Sequence, residues 1–393
     1  EPYRPAVFLP MSTRGIREND FTMVIGYPGR TGRHTTSHGV AYLQERSYPR
    51  RIAIFRDWLG ILQGEAARGE DVAIKVASFD QMLNNSMKNN EGMLDGFKKN
   101  GLLAKKIDTE KSFAMWLAIN PDMSAKYGDV LSGIAAVYEE RKAYDEKRAL
   151  LDYMGMGCQM LSAGFTLDRW SEEKAKPDLE RDPGYQERDI PRMKRRLRML
   201  QMSYDPQVDR RVLRYFVSLA AELPAGQRIA AVDAVLAGAA GGEAAAKIDA
   251  WLDRLYAGTK LGSPEERSRL FELSREELLA SGDAFVDFAA ALGAEKRSLE
   301  EREHAVSGAL QRLGSRYMEA VLAWKGGGIY PDANDTMRLT YGRVKGYRPR
   351  DAVQYGCITS LGGVVEKHTG EDPFDCPARL IELAESMDYG RYE

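Results

Sequence analysis

Apolar residues along most of the chain recur every three or four positions, the spacing that lines one face of an α-helix. The clearest sets are Ile52, Phe55, Leu59 and Leu62; Ile190, Met193, Leu197 and Leu200; Val208, Val212, Tyr215 and Leu219; and Ile248, Trp251, Leu252 and Leu255. We therefore predict that the long middle of the chain is α-helical.

Two segments near the ends follow a different pattern. Residues 21–25 form a short apolar, partly β-branched run between Asp20 and Gly26, which predicts a strand followed by a turn. Near the other end, apolar and polar residues alternate, which predicts a strand with one buried face. The alternating apolar residues are Met337, Leu339 and Tyr341, and Val344 and Tyr347 indicate a returning partner strand.

Local signals mark some helix ends. Ser263 is a candidate N-cap, Pro264 suits the first helical position, and Glu266 has the spacing of a capping box. The glycine-rich residues 238–242 predict a break between two helices, and three glycines at 326–328 mark the return to β structure.

This layout predicts how the chain is organised. The two β segments, of roughly 30 and 65 residues, are each too small to form an independent sheet core. We interpret them as pieces of β domains whose other strands lie outside the chain. The helical middle is then an insertion between them.

The composition argues against several classes of function. The chain has 393 residues, 44% apolar and 29% charged, enough for two or three folded domains. A formal net charge of −2 argues against a general nucleic-acid or membrane-surface binder, and no apolar run approaches the ~20 residues that span a bilayer. The chain opens with Glu1-Pro2-Tyr3 rather than an initiator Met or signal peptide, so we interpret it as a processed or excised piece.

The cysteine content excludes a disulfide framework. Cys158, Cys357 and Cys376 are the three cysteines, and none forms a CxxC pair for zinc or redox chemistry. A Cys357–Cys376 bridge would suit an exported protein. The other interpretation is that all three are small core residues.

Three motifs carry candidate chemistry. His34 and His38 have the spacing of helical metal ligands, but the general-base Glu and a third ligand are missing, so we predict no metal site. Residues 26–32 are glycine-rich after a strand, but they lack the Gly-Lys-Ser/Thr ending of a phosphate loop, which favours a structural turn.

The third motif is a basic run on a predicted helix. Its members are Arg192, Lys194, Arg195, Arg196 and Arg198, and the acidic residues near them are Glu187, Asp189, Asp205 and Asp209. A solvated, salt-bridged helix face is the favoured interpretation, and nucleic-acid binding is the minor one.

Nucleophilic catalysis finds no support in the chain. There is no GxSxG elbow, and the four histidines, His34, His38, His304 and His368, stand in no triad context. The residues alone predict a helical domain with β flanks.

Several longer motifs resemble one family. Residues 20–31, Asp-Phe-Thr-Met-Val-Ile-Gly-Tyr-Pro-Gly-Arg-Thr, resemble the end of the first β-barrel in the bacterial dipeptidyl-peptidase 7 and 11 family of serine peptidases. Residues 330–347 resemble its entry into the second barrel. The similarity continues through 176–181, 184–189 and 388–392, in the right order and across the chain.

The resemblance implies a fold and an activity. It implies a mostly α (α+β) chain with residues 1–33 ending one chymotrypsin-like barrel, 34–325 forming an inserted helical domain, and 326–393 starting the second barrel. Such enzymes release dipeptides from free peptide N termini with a Ser-His-Asp triad. The triad's motifs are absent here and are expected outside the chain, so this piece alone is expected to be inactive.

One functional residue carries over from the family. Its helical domain binds the substrate's α-amino group through an asparagine in the pattern Asn-x-x-Lys-Asn-x-x-Gly-Met, which residues 85–93 match, placing the role on Asn85. Ser86 and Met87 replace expected aromatic residues, and His34 and His38 replace usual tyrosines. Apart from the motif, Asn85 would be interpreted as a helix cap or surface polar residue.

The amine-binding role has a physical basis. Two extended residues span ~7 Å. An acceptor that binds the α-amino group at that distance from the scissile carbonyl therefore places the cleavage site after the second residue. The resemblance further implies peptide partners, a periplasmic or secreted location and a possible homodimer, without cofactor or nucleic acid. The alternative function is a non-catalytic helical scaffold or binding module.

Overall fold

The computed structural model describes residues 4–371 and 374–388. The opening Glu1-Pro2-Tyr3 and most of the closing motif, residues 389–392, lie outside the described residues. The chain divides into two compact units. We call His34–Tyr330 the helical unit, and Glu1–Arg33 with Pro331–Glu393 the β unit.

The helical unit is built almost entirely of α-helices. They are α1 (Ser37–Tyr42), α2 (Tyr48–Ala66), α3 (Glu70–Lys99), α4 (Leu102–Ala118), α5 (Pro121–Tyr127), α6 (Val130–Lys142), α7 (Asp145–Gly157), α8 (Gln159–Glu173), α9 (Ile190–Met199), α10 (Pro206–Ala221), α11 (Ala230–Leu236), α12 (Gly241–Ala257), α13 (Pro264–Glu272), α14 (Arg275–Leu279) and α15 (Ala284–Lys325). A π-helical turn, Leu43–Ser47, joins α1 to α2. The predicted mostly helical class is confirmed.

The four predicted apolar faces lie on α2, on α9 and the turn after it, on α10 and on α12, and their members are buried or half-buried. The main core gathers around Trp58, which is fully buried with its ring centroid 5.0 Å from that of Phe79 and 4.7 Å from that of Phe216. A second cluster forms where α4, α5 and α6 meet the end of α15, and includes Phe113 and Tyr317.

The predicted capping box at α13 is partly wrong. The Ser263 hydroxyl accepts the Glu266 N–H at 3.2 Å, as expected of an N-cap. The Glu266 carboxylate, however, binds Arg269 at 2.6 Å instead of reaching back to the cap. A complete capping box occurs one helix later, between Ser274 and Glu277.

The β unit contains short strands: β1 (Phe21–Gly26), β2 (Arg338–Arg343), β3 (Tyr347–Arg350) and β4 (Val353–Tyr355). β1 pairs antiparallel with β2, and β3 with β4. Two short helices follow, α16 (Gly362–Val365) and α17 (Ala378–Ser386).

Two details of the β prediction were wrong. The segment at Tyr347 does not return along β2, because it forms a separate hairpin with β4. The strand face predicted to be buried is exposed: Leu339 is 54% exposed and Tyr341 71%. The reason is that β1 and β2 form a ribbon of only two strands, which covers neither face.

The cysteines are unbridged. Cys158 is fully buried in the main core, and Cys357 and Cys376 are half-buried free thiols. Within residues 4–371 and 374–388, no helix combines the length and apolar content that a bilayer crossing requires.

Candidate functional site

The site residue predicted from sequence lies on α3, a helix of 30 residues. Acidic Glu70 and Asp71 occupy its first turn and basic Lys98 and Lys99 its last, which matches the helix dipole at both ends. α3 packs along α2, its partner in a helical hairpin. The middle of α3, where Asn85 lies, is therefore held on a rigid element.

The motif residues of α3 share one face. Asn85, Lys88, Asn89, Gly92 and Met93 follow the spacing i, i+3, i+4, i+7 and i+8, which places them along one side of a helix. All five are exposed. The pattern that singled out Asn85 in the sequence is thus a continuous solvent-facing strip, which we call the asparagine face.

The other side of this segment holds the helix in place. Leu83 is 1% exposed and Asn90 3%, and Met87 packs against the main core. Asn84 donates to Asp80 at 2.9 Å, and Glu91 pairs with Arg56 of α2 at 2.8 Å. The core packing and the pair with Arg56 fix the rotation of α3 and keep the asparagine face outward.

The polar side chains of the asparagine face make no hydrogen bonds or ion pairs within the described residues. There the side chains of Asn85, Lys88 and Asn89 have no hydrogen-bond or ion-pair partner. A carboxamide oxygen accepts a hydrogen bond from an ammonium group, and its NH₂ donates to a carbonyl. The strip can therefore bind a peptide's amino end or its backbone.

The two departures from the family's pattern lie away from this strip. Ser86 and Met87 are half-buried, and Met87 is part of the core packing. They therefore do not line the face that presents Asn85.

The two histidines singled out as possible metal ligands are not brought together with other ligands. His34 Nε2 lies 2.9 Å from the carbonyl oxygen of Tyr330, and His38 lies in α1. Over the described part of the chain, no cluster of three or more His, Cys, Asp or Glu side chains has a geometry that could hold a metal ion.

The glycine-rich segment at 26–32, predicted to be a tight turn, is instead the end of β1 followed by an irregular connection that includes one β-bridge. The Thr31 hydroxyl donates to Asp332 at 2.6 Å, and the Thr31 N–H donates to the Ala333 carbonyl at 3.3 Å. Arg30 and Asn334 form an isolated β-bridge. The segment's hydrogen bonds thus serve to join the two parts of the β unit.

The basic run lies on α9, and the ion pair that the structure shows for it is with an acidic residue distant in sequence. Lys194 pairs with Glu272 of α13 at 2.7 Å. Asp205 instead binds Arg68 at 2.9 Å, and Asp209 is buried in the core. Spacing along the chain did not reveal these partners, because they come from other helices.

Asp209 organises a buried polar cluster that the sequence did not indicate. Its carboxylate accepts from the Tyr256 hydroxyl at 2.8 Å, from the Cys158 thiol at 3.1 Å and from the Gln159 N–H at 2.5 Å. Burial raises the pKa of Asp209 and holds the pKa of the Cys158 thiol well above its usual value. Cys158 therefore stays a thiol and caps α8 rather than acting as a nucleophile.

A second missed feature is a cavity of about 320 Å³ beside α3, whose walls include Trp58 and Gln159. These two residues are 101 positions apart, so no local pattern could have placed them together. Their exposed neighbour Met82 lies one helical turn before Asn85.

The fold and sequence match known dipeptidyl-peptidases. The chain is 30% identical over 392 residues to the Asp/Glu-specific dipeptidyl-peptidase of Shewanella putrefaciens, covering 99% of this chain and 52% of that protein. It is 27% identical over 417 residues to dipeptidyl-peptidase 7 of Porphyromonas endodontalis, covering 100% of this chain and 46% of the relative.

A solved structure matches as well. The crystal structure of Porphyromonas endodontalis DPP11 in complex with the dipeptide Arg-Glu aligns with a TM-score of 0.76 and 25% identity, over 100% of this chain and 55% of that one. These similarities place the chain in the class of peptidases.

The particular family follows from its sequence model, which is described as Peptidase S46 and matches residues 1–393. The chain belongs to the Peptidase S46 family. It spans about half the length of the curated relatives it matches.

Proposed function

We propose that the chain is part of a serine-type dipeptidyl aminopeptidase, and that its helical unit recognises the free amino end of a peptide substrate through Asn85. The observation that carries this proposal is the asparagine face. The family pattern at 85–93 forms one exposed strip on a rigid helix, and the Asn85 carboxamide has no partner within the described residues.

The chemistry of a carboxamide suits the role. Its oxygen accepts a charge-assisted hydrogen bond from an α-ammonium group, an interaction that contributes about 1.5–3 kcal/mol. A blocked or internal peptide lacks that donor and loses the interaction. Because the same bond aligns the scissile carbonyl with the nucleophile, its loss lowers turnover as well as binding.

The proposal assigns the catalytic triad to segments outside this chain and expects no cofactor or metal. The β unit then supplies strands of a chymotrypsin-like double β-barrel. Two features support this assignment: the β1–β2 ribbon carries apolar residues on both exposed faces, and the chain covers 52% of its Shewanella relative. Periplasmic or secreted location and a homodimer belong to the same proposal.

The test uses the full-length protein that contains this chain. Asn85→Ala is expected to lower kcat/KM for a dipeptidyl substrate about 10- to 100-fold, the loss of one charge-assisted hydrogen bond. Gln207→Ala, which removes an exposed carboxamide on α10, is the matched control and should keep wild-type kinetics.

A second measurement separates amine recognition from general damage. The wild-type enzyme should reject an N-acetylated substrate, and Asn85→Ala should lose most of that discrimination. Unchanged kinetics and unchanged discrimination in a folded Asn85→Ala protein would remove the role and favour the scaffold function.

A further inference from the structure

The solvent-facing side of α9 is basic. Its exposed members follow helical spacing along one side of the helix, and they are Arg192, Arg195, Arg196, Arg198 and Met199. We call this set the arginine face. Met193 and Leu197 lie on the opposite side and are buried, which fixes the rotation of the helix. The packing of α9 therefore holds a group of guanidinium ions toward solvent.

The charge of the arginine face is not neutralised by the part of the chain that the structure describes. There the side chains of Arg192, Arg195 and Arg198 have no ion-pair or hydrogen-bond partner. Arg196 reaches a neutral group, the Ser162 hydroxyl, at 3.5 Å. The ion pair of the basic run, between Lys194 and Glu272, lies outside the arginine face. The face therefore presents its positive charge to an external partner.

The acidic residues that precede α9 in sequence are engaged elsewhere. Glu187 pairs with Arg181 at 3.2 Å, and the Asp189 carboxylate accepts the Gln186 N–H at 3.3 Å. Residues 190–204 contain no Asp or Glu. Like charges three or four positions apart on a helix repel each other, which destabilises the helix in the absence of counter-charge. An anionic partner would relieve this repulsion.

An apolar residue among the arginines indicates the kind of partner. Met199 lies one helical turn after Arg195 and is 46% exposed, and Met202 in the next turn is 69% exposed. Guanidinium groups bind phosphate oxygens in pairs, and a flexible thioether fits the apolar layer beneath phosphate headgroups. Nucleic-acid bases stack on aromatic side chains, of which residues 190–203 contain none. The composition of this surface therefore favours a lipid surface over a nucleic acid.

We propose that the arginine face docks the helical unit on an anionic phospholipid surface. The guanidinium groups bind headgroup phosphates, and Met199 enters the outer part of the apolar layer. The net charge of the whole chain is −2, so the attraction is local to this face rather than general. α9 has 10 residues and extends about 15 Å, a small contact that makes the docking reversible.

The test is co-sedimentation of the full-length protein with phosphatidylcholine vesicles that contain or lack phosphatidylglycerol at ~30%. Binding is expected with the anionic vesicles, and it should weaken about tenfold between ~50 and ~500 mM salt, because exposed charges are screened. The vesicles of pure phosphatidylcholine measure adhesion through apolar residues such as those of β1 and β2. Asn85→Ala should bind as the wild type does, so failure of the proposed function would leave this result unchanged.

A triple variant locates the binding surface. Arg192→Gln, Arg195→Gln and Arg198→Gln together should lower the partition coefficient about 100-fold, since each arginine near an anionic surface contributes about fivefold. The matched control removes the same charge from exposed positions on α3, α12 and α15, and it should stay within about twofold of the wild type. Its substitutions are Lys98→Gln, Arg254→Gln and Arg312→Gln.

Two further variants separate charge from apolar contact. Lysine at positions 192, 195 and 198 keeps the charge and should retain binding within about threefold of the wild type. Met199→Gln keeps every arginine and should weaken binding to anionic vesicles about threefold, because it removes the apolar contact. Circular dichroism verifies that each variant is folded.

The proposal is overturned if the protein binds both kinds of vesicle equally, or if the triple glutamine variant binds anionic vesicles as well as its matched control does. A duplex DNA that binds more tightly than the anionic vesicles, with Met199→Gln without effect on either, would assign the arginine face to nucleic acid and also overturn it. Loss of binding in the triple variant alone, with the lysine variant retaining it, is the result that supports lipid docking.

Discussion

The two units differ in how far they bury their apolar side chains. In the helical unit Trp58 and Phe216 are fully buried, whereas in the β unit Met23 is 51% exposed and Tyr341 71%. Both pairs come from segments with clear apolar patterns. The difference arises because many helices enclose the first pair, while a ribbon of two strands cannot cover either of its own faces. The spacing of apolar residues thus predicts whether a segment is helix or strand more reliably than it predicts whether that segment is buried.

The largest expected effect comes from breaking the core of the helical unit. Trp58→Ala removes a ring packed against Phe79 and Phe216, and should lower the free energy of unfolding by about 3–5 kcal/mol. Met23→Ala removes an exposed side chain and should change it by less than ~0.5 kcal/mol. Urea unfolding followed by circular dichroism measures both. Equal losses would contradict the contrast between the units.

A smaller effect is expected where two helices of the same unit approach closely. A Cβ on Gly164 of α8 would lie 2.8 Å from the Phe285 carbonyl oxygen of α15, so Gly164→Val should cost about 1–3 kcal/mol. Gly60, on α2, has open space around it, and Gly60→Ala should stabilise by roughly 0.5–1 kcal/mol. A decrease in Tm for Gly164→Val and an increase for Gly60→Ala would confirm that the space around a glycine determines the effect of replacing it.

The smallest effect is expected on the helical unit's surface. Arg316 donates to both Asp129 oxygens, at 2.7 and 3.0 Å, and these hydrogen bonds lower the pKa of Asp129. A carboxyl whose pKa is lowered in the folded state stabilises the protein at pH values above its ordinary pKa of 3.8. This stabilisation is lost as the pH falls through the lowered pKa. Asp129→Asn should therefore lower the Tm by at most about 2 °C at pH 7 and by less at pH 2.

Calorimetry at the two pH values checks this prediction. Asp108→Asn is a suitable control, because Asp108 pairs with Lys111 at 3.4 Å within one helix rather than between two. A decrease that persists unchanged at pH 2 would show that the Asp129 charge is not its source.

The sequence predicted what depends on local spacing. The apolar faces of α2 and α10, the N-cap at Ser263 and the position of β1 all follow from residues within a few positions of each other. The Asn85 pattern is also local, and its helical spacing alone indicates that its members share a face. The resemblance to a peptidase family rested on the same kind of contiguous motif.

The sequence could not predict what depends on distant partners. The sequence allowed the Glu266 carboxylate to bond either the helix cap at Ser263 or the side chain of Arg269, and in the structure it bonds Arg269. The cluster around Asp209 joins residues from α8, α10 and α12, and the cavity wall joins Trp58 to Gln159. Such contacts are set by tertiary packing, which leaves no periodic signal in the chain.

The length of α15 links the stability of the two hydrophobic clusters. Its 42 residues extend about 63 Å, with Phe285 buried in the main core near one end and Tyr317 in the second cluster near the other. Leu310, between them, packs against both clusters. Unfolding of α15 as a whole therefore removes support from both clusters, so the helical unit should melt as one cooperative body.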